Sequence, residues 1–582
     1  MKKLSFSFIC CFLLLPMHFN AQAVDISAGT ALLEKVPQEK IFVHYNSALL
    51  FPGEYLYYKL YNLEKETNQF SEVSKVAYVE LIGEDGNTIF KHKLLLKNGQ
   101  AQGDFFIPTT VPSGNYKLLS YSNWMRNHNA YFAGDVAIIN PYRGDSSAIL
   151  SNFEGDADIS QAPAPQKTSV ASNNSPVKII LKNDIFERRE KVTFNLKGLS
   201  GNYSLSVRQK DTIPVPSTFT AEGFELSSSD TEYNRDSVFL PEARGNLISG
   251  RIVAKTEEAT RDLSGKKLAF SLPGEDYILK IATTNKEGKF YLNLDEHYTT
   301  PQALVQILGE NPEKWDIQFD PLPKIDVANL NFGKFQITPA MEEWILNRSV
   351  QIQIENAYYS VKPDTLQALD PIEPFYSQQP TVYDLDDYTR FPTIKETMVE
   401  IIMYARIANK KGGSQIVVNQ TDGATNYYLP ALLLVDGAMV QDHDLFINYP
   451  AKYVQSIKIL RDNFFLGSHI FSGIIDVKTI EGNFSEILIE DYIKRIDMKL
   501  PEVDKNYFKQ SYTTPFENEL SRIPDLRTQL LWMPSVEIDS SEVNIKLFTS
   551  DVPGTFEIHL EGFSDAGKPV SVKRTFTVQA EE

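Results

Sequence analysis

The sequence predicts a mainly β fold in which several immunoglobulin-like β-sandwich domains stand in tandem with one small α/β domain. Over most of the chain, short runs of alternating apolar and polar residues are separated by turn signals about every 8 to 12 residues, as in antiparallel sandwiches. Residues 428–479 differ, because continuous apolar runs there alternate with polar and glycine-bearing segments. The 582 residues, 42% of them hydrophobic, suffice for about four domains.

The first 23 residues have the features of a secretory signal peptide. Lys2 and Lys3 precede an apolar run from Phe6 to Pro16, and small residues follow at Ala21-Gln22-Ala23. We therefore expect an exported protein that is periplasmic or associated with the outer membrane, with the cell surface as a further location.

Cysteine use and charge exclude several classes of function. Cys10 and Cys11 are the two cysteines of the chain, and cleavage after Ala23 would remove both, which leaves no disulfide, thiolate nucleophile or cysteine-ligated zinc. The formal net charge of −18 argues against binding to nucleic acid or anionic lipid, and solubility alone also accounts for it. No later apolar run has the length of a transmembrane helix, so we expect no direct membrane span.

Residues 24–142 are predicted to form the first sandwich. Its strand candidates are Ile41–Tyr45, Tyr55–Leu60, Lys75–Leu81, Gln102–Ile107 and Tyr116–Tyr121. The segments EKIFVHYN, LLFPGEYLYYKLY, KVAYVELIGEDGNTIFKHKL, NGQAQGDFFIP and VPSGNYKLLSYSNWMRN resemble the macroglobulin-type sandwich of the alpha-2-macroglobulin superfamily. The resemblance implies a sandwich domain of that type.

A linker and two further sandwiches are expected next. Residues 143–176 are rich in Ser, Ala, Asn, Gln and Pro, which predicts an exposed linker, and its Arg143-Gly144-Asp145 tripeptide is interpreted as a chance match to a cell-adhesion motif. Residues 177–245 are predicted to form a small sandwich and residues 246–335 another. In the latter, ISGRIV and ATTNKEGKFYLNL resemble the carboxypeptidase regulatory-like sandwich, which implies a structural module and not a peptidase.

Residues 336–392 are predicted to form a helix followed by a proline-rich connector. Thr338-Pro339 and the glutamates after it favour a helix from Pro339 to about Ile354. Three closely spaced acids of the connector could suggest a calcium loop. Since the glycine and closing glutamate of such a loop are missing, we interpret the acids as a solvated turn; they are Asp384, Asp386 and Asp387.

Residues 393–482 are predicted to form the α/β domain. A helix is expected from Thr393 to about Ala408, and strands are expected at Leu432–Val435, Val454–Leu460 and Gly473–Lys478. Three ordered blocks, VDG, VQSIKILRD and GIIDVKT, resemble the plug domain of TonB-dependent outer-membrane receptors, especially those of Bacteroidota. The segment NFFLG departs from the small-residue loop of that family.

A transmembrane barrel is not expected after the plug-like domain. Roughly 100 residues follow Thr479, whereas a receptor barrel needs many strands of about 9 to 11 residues each. Residues 483–582 are instead predicted to form a C-terminal sandwich. Its segments PDLRTQLLWMPSV and IKLFTSDVPGTFEIHLEGFSDAGKP resemble the terminal sandwich of macroglobulin-like envelope proteins of Bacteroidota.

No arrangement of residues in the sequence suggests catalysis. The eight histidines are scattered singly, and no H-E-x-x-H, G-x-S-x-G or P-loop pattern occurs. His44 and His559 lie in predicted strands, where a structural role is expected. We therefore expect no enzymatic activity, no cofactor and no metal site.

Two non-enzymatic functions agree with this organisation. The first is a scaffold or accessory subunit of outer-membrane transport or secretion machinery, which binds an outer-membrane or envelope protein such as a β-barrel. The alternative is a macroglobulin-like protease inhibitor that works noncovalently, since a thioester requires a cysteine. A carbohydrate or peptide binder is a third possibility, although the sequence shows no aromatic platform for it.

The expected partner-binding surface lies in the plug-like domain. It comprises the acidic segment after the VDG turn and the following apolar loop, with Asp436, Gly437, Asp442, Asp444, Phe464, Phe465, Leu466 and Phe471 as candidates. An exposed apolar patch of this kind would mark an interaction site. The competing interpretation is that the aromatic residues pack inward against a neighbouring sandwich.

Overall fold

The computed structural model describes residues 35–144, 149–150, 175–224, 227–228 and 238–580, except 258, 260–262, 329, 370–371, 373–374, 377, 411, 422–425, 468, 514–521 and 540. The predicted signal peptide and most of the predicted linker lie outside these residues. The predicted fold class, mainly β with several sandwiches, is confirmed. Among the described helices, none is both long enough and apolar enough to cross a membrane.

The first sandwich is built from eight strands, which are β1 (Glu39–Tyr45), β2 (Leu49–Leu50), β3 (Tyr55–Glu64), β4 (Val76–Gly83), β5 (Thr88–Leu95), β6 (Gln100–Phe106), β7 (Gly114–Tyr121) and β8 (Ala130–Ile138). One sheet has the order β1-β3-β6, and the other contains β8-β7-β4-β5. Alternate side chains of both sheets fill a core with large aromatic members, including Phe42, Tyr58 and Phe132. The five predicted strands are present, and β2, β5 and β8 were missed.

The chain next forms the strands β9 (Lys178–Leu181), β10 (Ile185–Phe186), β11 (Lys191–Lys197), β12 (Gly201–Gln209) and β13 (Ser227–Ser228). β13 pairs with β8 of the first sandwich. β9 to β12 find most of their partners at the C-terminal end of the chain, as described below.

A third group of strands forms another sandwich. These strands are β14 (Asn246–Ala254), β15 (Lys267–Leu272), β16 (Ile278–Thr283), β17 (Lys289–Leu294), β18 (Gln302–Leu308) and β19 (Trp315–Phe319). β17-β14-β19 form one sheet, and β16-β15-β18 belong to the other. Phe270, Phe290 and Trp315 lie in the core between them.

Helix α1 (Glu342–Ala357) follows a short 3-10 turn at Pro339–Met341 and agrees with the predicted helix. Ile352 of the helix and Met341 of the preceding turn contact the first sandwich in a core cluster with Phe51. The connector after it contains the short strands β20 (Thr365–Leu366) and β21 (Thr381–Asp384).

The α/β unit contains helices α2 (Ile394–Glu400) and α3 (His443–Ile447) and the strands β22 (Ala405–Lys410), β23 (Gly413–Val418), β24 (Leu432–Val435), β25 (Ala438–Met439), β26 (Val454–Leu460), β27 (Phe464–Leu466), β28 (His469–Phe471) and β29 (Ile474–Thr479). Its mixed sheet has the order β21-β26-β29-β24-β25, with β24 parallel to β29. The three predicted strands are therefore present.

The helix predicted to run from Thr393 to Ala408 ends earlier, at Glu400. Thr393 caps its start as expected, with the hydroxyl accepting from the Glu396 N–H. Residues 405–410 instead pair with β23 in a hairpin whose turn contains Gly412 and Gly413 at positive φ. Glycine favours this turn, so a local β-hairpin takes the place of the last predicted helical turns.

The C-terminal region contains β30 (Ile493–Asp497), β31 (Lys505–Asn506), β32 (Gln529–Ile538), β33 (Val543–Phe548), β34 (Gly554–Ser564) and β35 (Pro569–Val578). β30 pairs with β18 of the third sandwich and β31 with β20 of the connector. β32 to β35 complete the second sandwich, whose sheets are β10-β35-β34-β12-β32 and β33-β11-β9.

The prediction of two separate sandwiches at residues 177–245 and 483–582 was therefore wrong. Strands from both segments alternate within the same two sheets and share one core, to which Phe194, Tyr203, Phe556 and Leu560 contribute. Alternating polarity indicates which face of a strand is buried, but it carries no information about which distant strand lies beside it.

Candidate binding surface of the α/β unit

The turn after β24 is an internal structural element. Asp436 adopts φ +51° and is 7% exposed, and its carboxylate accepts hydrogen bonds from the Thr479 N–H and hydroxyl, both at 2.7 Å, and from the Phe484 N–H at 3.0 Å. Gly437 lies so close to Tyr277 that an added Cβ would be 2.1 Å from the Tyr277 Cβ. Both residues were predicted to contact a partner. The structure corrects this, because the Asp436 carboxylate is hydrogen-bonded within the chain and Gly437 lies against Tyr277.

The acidic residues of the next segment hold helix α3 in place. Exposed Asp442 caps the helix by accepting from the Asp444 N–H at 3.0 Å, and Asp444 accepts from the Ser414 N–H at 2.9 Å. Between them, His443 is buried and its Nδ1 accepts from the Ile416 N–H at 2.8 Å. Burial lowers the pKa of His443 to about 4. These contacts fasten α3 to β23.

The predicted apolar loop is a two-stranded hairpin formed by β27 and β28. Phe464 pairs with Phe471, Phe465 with Ile470, and Leu466 with His469. Because side chains alternate along a strand, the central pair points to the face opposite the outer two pairs. The hairpin therefore has two faces with different surroundings.

One hairpin face packs inward. Phe464 meets the Phe375 ring edge-on at a centroid distance of 5.3 Å, and Phe471 is buried. Both residues, with Leu466, belong to an apolar cluster that includes Leu279 and Leu308 of the third sandwich. For Phe464, Leu466 and Phe471 the packing interpretation holds, and their prediction as partner contacts is corrected.

The other hairpin face is exposed. Phe465 is 64% exposed and its partner Ile470 is 43% exposed. Further exposed large apolar residues are concentrated in the same part of the chain and are Val382, Tyr388, Val399, Met403, Tyr427, Tyr428, Tyr453, Ile480, Ile487 and Ile489. Of the predicted apolar contact residues, Phe465 remains available to a partner.

The α/β unit is fixed to the third sandwich by a polar contact as well. The buried carboxylate of Asp476 accepts from the hydroxyls of Tyr277 at 3.1 Å and Tyr376 at 2.8 Å. Burial together with the charge of Asp476 raises the pKa of both tyrosines above its ordinary value. This contact helps to fix the α/β unit, which carries the hairpin, against the third sandwich. The sequence held no signal for this contact, because its members are about 100 to 200 residues apart.

A serine–histidine contact occurs in the interior between the first and second sandwiches. The Ser204 hydroxyl lies 2.6 Å from His44 Nδ1, and His559 Nε2 lies 2.6 Å from Glu561 Oε1. Burial raises the pKa of Glu561 to about 7 and lowers that of His559 to about 3. Ser204 is fully buried, so a substrate has no access to it.

The described residues contain no group of three or more His, Cys, Asp and Glu side chains arranged to hold a metal ion.

An aromatic cleft is a feature that the sequence did not reveal, since no aromatic platform was predicted. The structure brings five aromatic rings together at a cleft, from Tyr55, Tyr57, Tyr359, Tyr507 and Trp532. No local pattern could have indicated this, because the rings come from four distant segments.

Comparisons with known proteins give structural matches only. No family model and no curated protein matches the sequence. Solved structures that match include trypsin-activated alpha-2-macroglobulin from Escherichia coli, with a TM-score of 0.24 and 8% identity over 93% of this chain and 42% of that chain. Salmonella alpha-2-macroglobulin reacted with methylamine matches with a TM-score of 0.23 and 8% identity over 94% of this chain and 40% of that one. The chain spans about two fifths of the length of these proteins, and TM-scores this low do not establish a shared overall fold.

Proposed function

We propose that the chain is a non-enzymatic scaffold or accessory subunit of outer-membrane transport or secretion machinery, and that it binds an envelope protein through the exposed face of the β27–β28 hairpin. The single observation that carries this proposal is the exposed cross-strand pair Phe465 and Ile470 on a hairpin whose opposite face is anchored. The resemblance of the surrounding strands to a receptor plug domain supports the choice of an outer-membrane partner.

The anchored face makes the exposed pair suitable for binding. Phe464 and Phe471 hold the hairpin against the connector and the third sandwich, so little conformational entropy remains to be lost when a partner docks. Burial of a Phe and an Ile side chain contributes about 1.5 to 3 kcal/mol each. The partner is expected to offer an apolar pocket that accepts both side chains.

A double substitution tests the proposal. In Phe465→Ser/Ile470→Ser, we expect an unchanged melting temperature and a loss of at least about 100-fold in affinity for a partner identified by cross-linking in envelopes and then purified. The matched control is Ile180→Ser/Tyr291→Ser, which removes two exposed apolar side chains from other sandwiches. Equal affinity of the two double variants for the purified partner would contradict the proposal.

The alternative function is a macroglobulin-like noncovalent protease inhibitor, supported by the resemblance of residues 24–142 to macroglobulin-type sandwiches. Such an inhibitor would hinder a protease acting on a large protein substrate while leaving cleavage of a small peptide substrate unchanged. If an excess of this protein changes neither the rate on the large protein substrate nor the rate on the small peptide, the alternative is excluded.

A further inference from the structure

A cleft that the proposed function does not use lies where the first and second sandwiches meet the end of α1. Its walls come from the beginnings of β3 and β32, the last turn of α1, and residues 359–364 and 507–508. Its volume is about 150 Å³. The cleft therefore suits one head group and not an extended ligand.

Aromatic rings line this cleft. Tyr57 stacks on Tyr55 at 5.5 Å with 13° between the rings and on Trp532 at 5.9 Å with 19°. Tyr55 also stacks on Tyr359 at 6.2 Å, and Tyr507 meets Tyr57 edge-on at 5.0 Å. The faces of such rings carry negative electrostatic potential and attract cations.

One carboxylate in the cleft has no cation at ion-pair distance among the described residues. Asp364 is half-buried, and its Oδ1 accepts from the Phe508 N–H at 2.8 Å. Among the residues that the structure describes, no Lys, Arg or His forms an ion pair with it. Burial raises the pKa of Asp364 above its ordinary value and the charge of Asp104 adds to this, whereas the Phe508 N–H and the charge of Lys505 act in the opposite direction. A carboxylate in such surroundings gains free energy when a cation arrives.

The cationic side chains at the cleft already form ion pairs with other acids. Arg208 lies 3.4 Å from Glu54, Lys362 lies 2.5 Å from Glu355, and Arg527 lies 2.6 Å from Asp525. Lys505 is likewise 2.8 Å from Asp104. Glu54 and Glu355 of the cleft walls are thus ion-paired, and Asp364 is the acid of the described cleft walls that forms no ion pair.

We propose that this cleft binds an organic cation, with a primary ammonium or guanidinium group seated between the tyrosine rings and Asp364. The cation could be a Lys or Arg side chain of a partner protein or a free small amine, since the recognising chemistry is the same. An anion would be repelled by Asp364 and by the ring faces, and a neutral apolar group would leave the carboxylate unpaired.

Calorimetric titration of the purified protein tests this assignment. The probes are lysine and arginine blocked at both ends, with norleucine and glutamate blocked in the same way as the neutral and anionic controls. We expect saturable binding of the two cationic probes and none of the controls. Asp364→Asn and, separately, Tyr359→Leu should weaken binding by at least about tenfold. Asp491→Asn, which changes an exposed acid elsewhere, should leave it unchanged.

Two outcomes would overturn the assignment. One is the absence of saturable binding of both cationic probes at up to about 10 mM, a concentration that covers even weak single-group contacts. The other is equal binding by Asp364→Asn and Asp491→Asn.

The source of the cation follows from comparing the affinity of a lysine-containing pentapeptide with that of the blocked amino acid. Tighter binding of the pentapeptide assigns a partner side chain, and equal binding assigns a free amine. Failure of these probes would leave the hairpin test unaffected, because the two sites share no residue.

Discussion

At the scale of single residues, buried ionisable groups link the stability of the fold to pH. His443 accepts a backbone hydrogen bond at Nδ1 and therefore has to be neutral in the folded state. Its pKa is about 4 when folded and about 6.5 when unfolded. As the pH falls below 6.5 the unfolded chain binds a proton first, so the folded state loses stability between pH 6.5 and pH 4.

We therefore predict that the difference between wild type and His443→Gln depends on pH. The substitution should cost most near pH 7. The cost should shrink by up to about 3 kcal/mol as the pH approaches 4, because the wild type alone loses the contribution of His443. Hydrogen exchange of the Ile416 amide at pH 7, 5.5 and 4.5 measures this local stability. A gap between the two proteins that stays constant with pH would contradict the prediction.

At the scale of elements, helix α1 is joined to its neighbours by buried ion pairs as well as by packing. Its side chains Leu346 and Val350 are exposed, whereas Arg348 is buried and pairs with Glu54 at 2.9 Å and with Asp211. Glu54 directly precedes β3 and Asp211 follows β12, so this one guanidinium joins the helix to the first and second sandwiches. A hydrophobic face alone would not anchor the helix, because its apolar residues are divided between buried and exposed positions.

Replacing Arg348 by Met should therefore release α1. The substitution keeps the length of the side chain but leaves Glu54 and Asp211 buried with less compensation, at an expected cost of about 3 to 5 kcal/mol. Faster hydrogen exchange and proteolysis within residues 342–357 are the readouts. Glu343→Ala, at an exposed position of the same helix, serves as the control and should change neither. Similar protection in both variants would show that packing, and not the ion pairs, holds the helix.

At the scale of the whole molecule, the second sandwich joins strands from the first half of the chain to strands near its C-terminal end. Its β12 lies between β34 and β32 in one sheet, and β11 lies between β33 and β9 in the other. The second sandwich therefore cannot fold completely until β32 to β35, near the C-terminal end of the chain, have been synthesised. Pairings over such sequence distances are slow to form, because their loop-closure entropy has to be overcome first.

A truncated protein tests this closure. Deleting residues 501–582 should expose the core residues Phe194, Tyr203 and Val207, and we expect aggregation or easy proteolysis of residues 178–209. Co-expression of residues 501–582 as a separate chain should restore a monodisperse complex in size-exclusion chromatography. A truncated protein that stays monodisperse and protease-resistant would show that residues 177–245 fold independently.

The sequence by itself determined the local features of this protein. The positions of the strands at 432–435 and 454–460, the start of helix α2 capped by Thr393 and the mainly β class all follow from periodicity and turn chemistry, which act over a few residues. The five large apolar residues within 464–471 were also visible in the sequence, although they did not show that the segment forms a hairpin or which of them would be buried.

Only the tertiary structure decided the pairing of distant segments. It joined residues 178–209 with 529–578 in one sandwich, placed Gly437 against Tyr277, and gathered the aromatic rings around Asp364. The physical reason is that a strand or an aromatic side chain gains its free energy from any suitable apolar neighbour. The choice of that neighbour therefore depends on the packing of the whole chain, and not on the residues beside it in sequence.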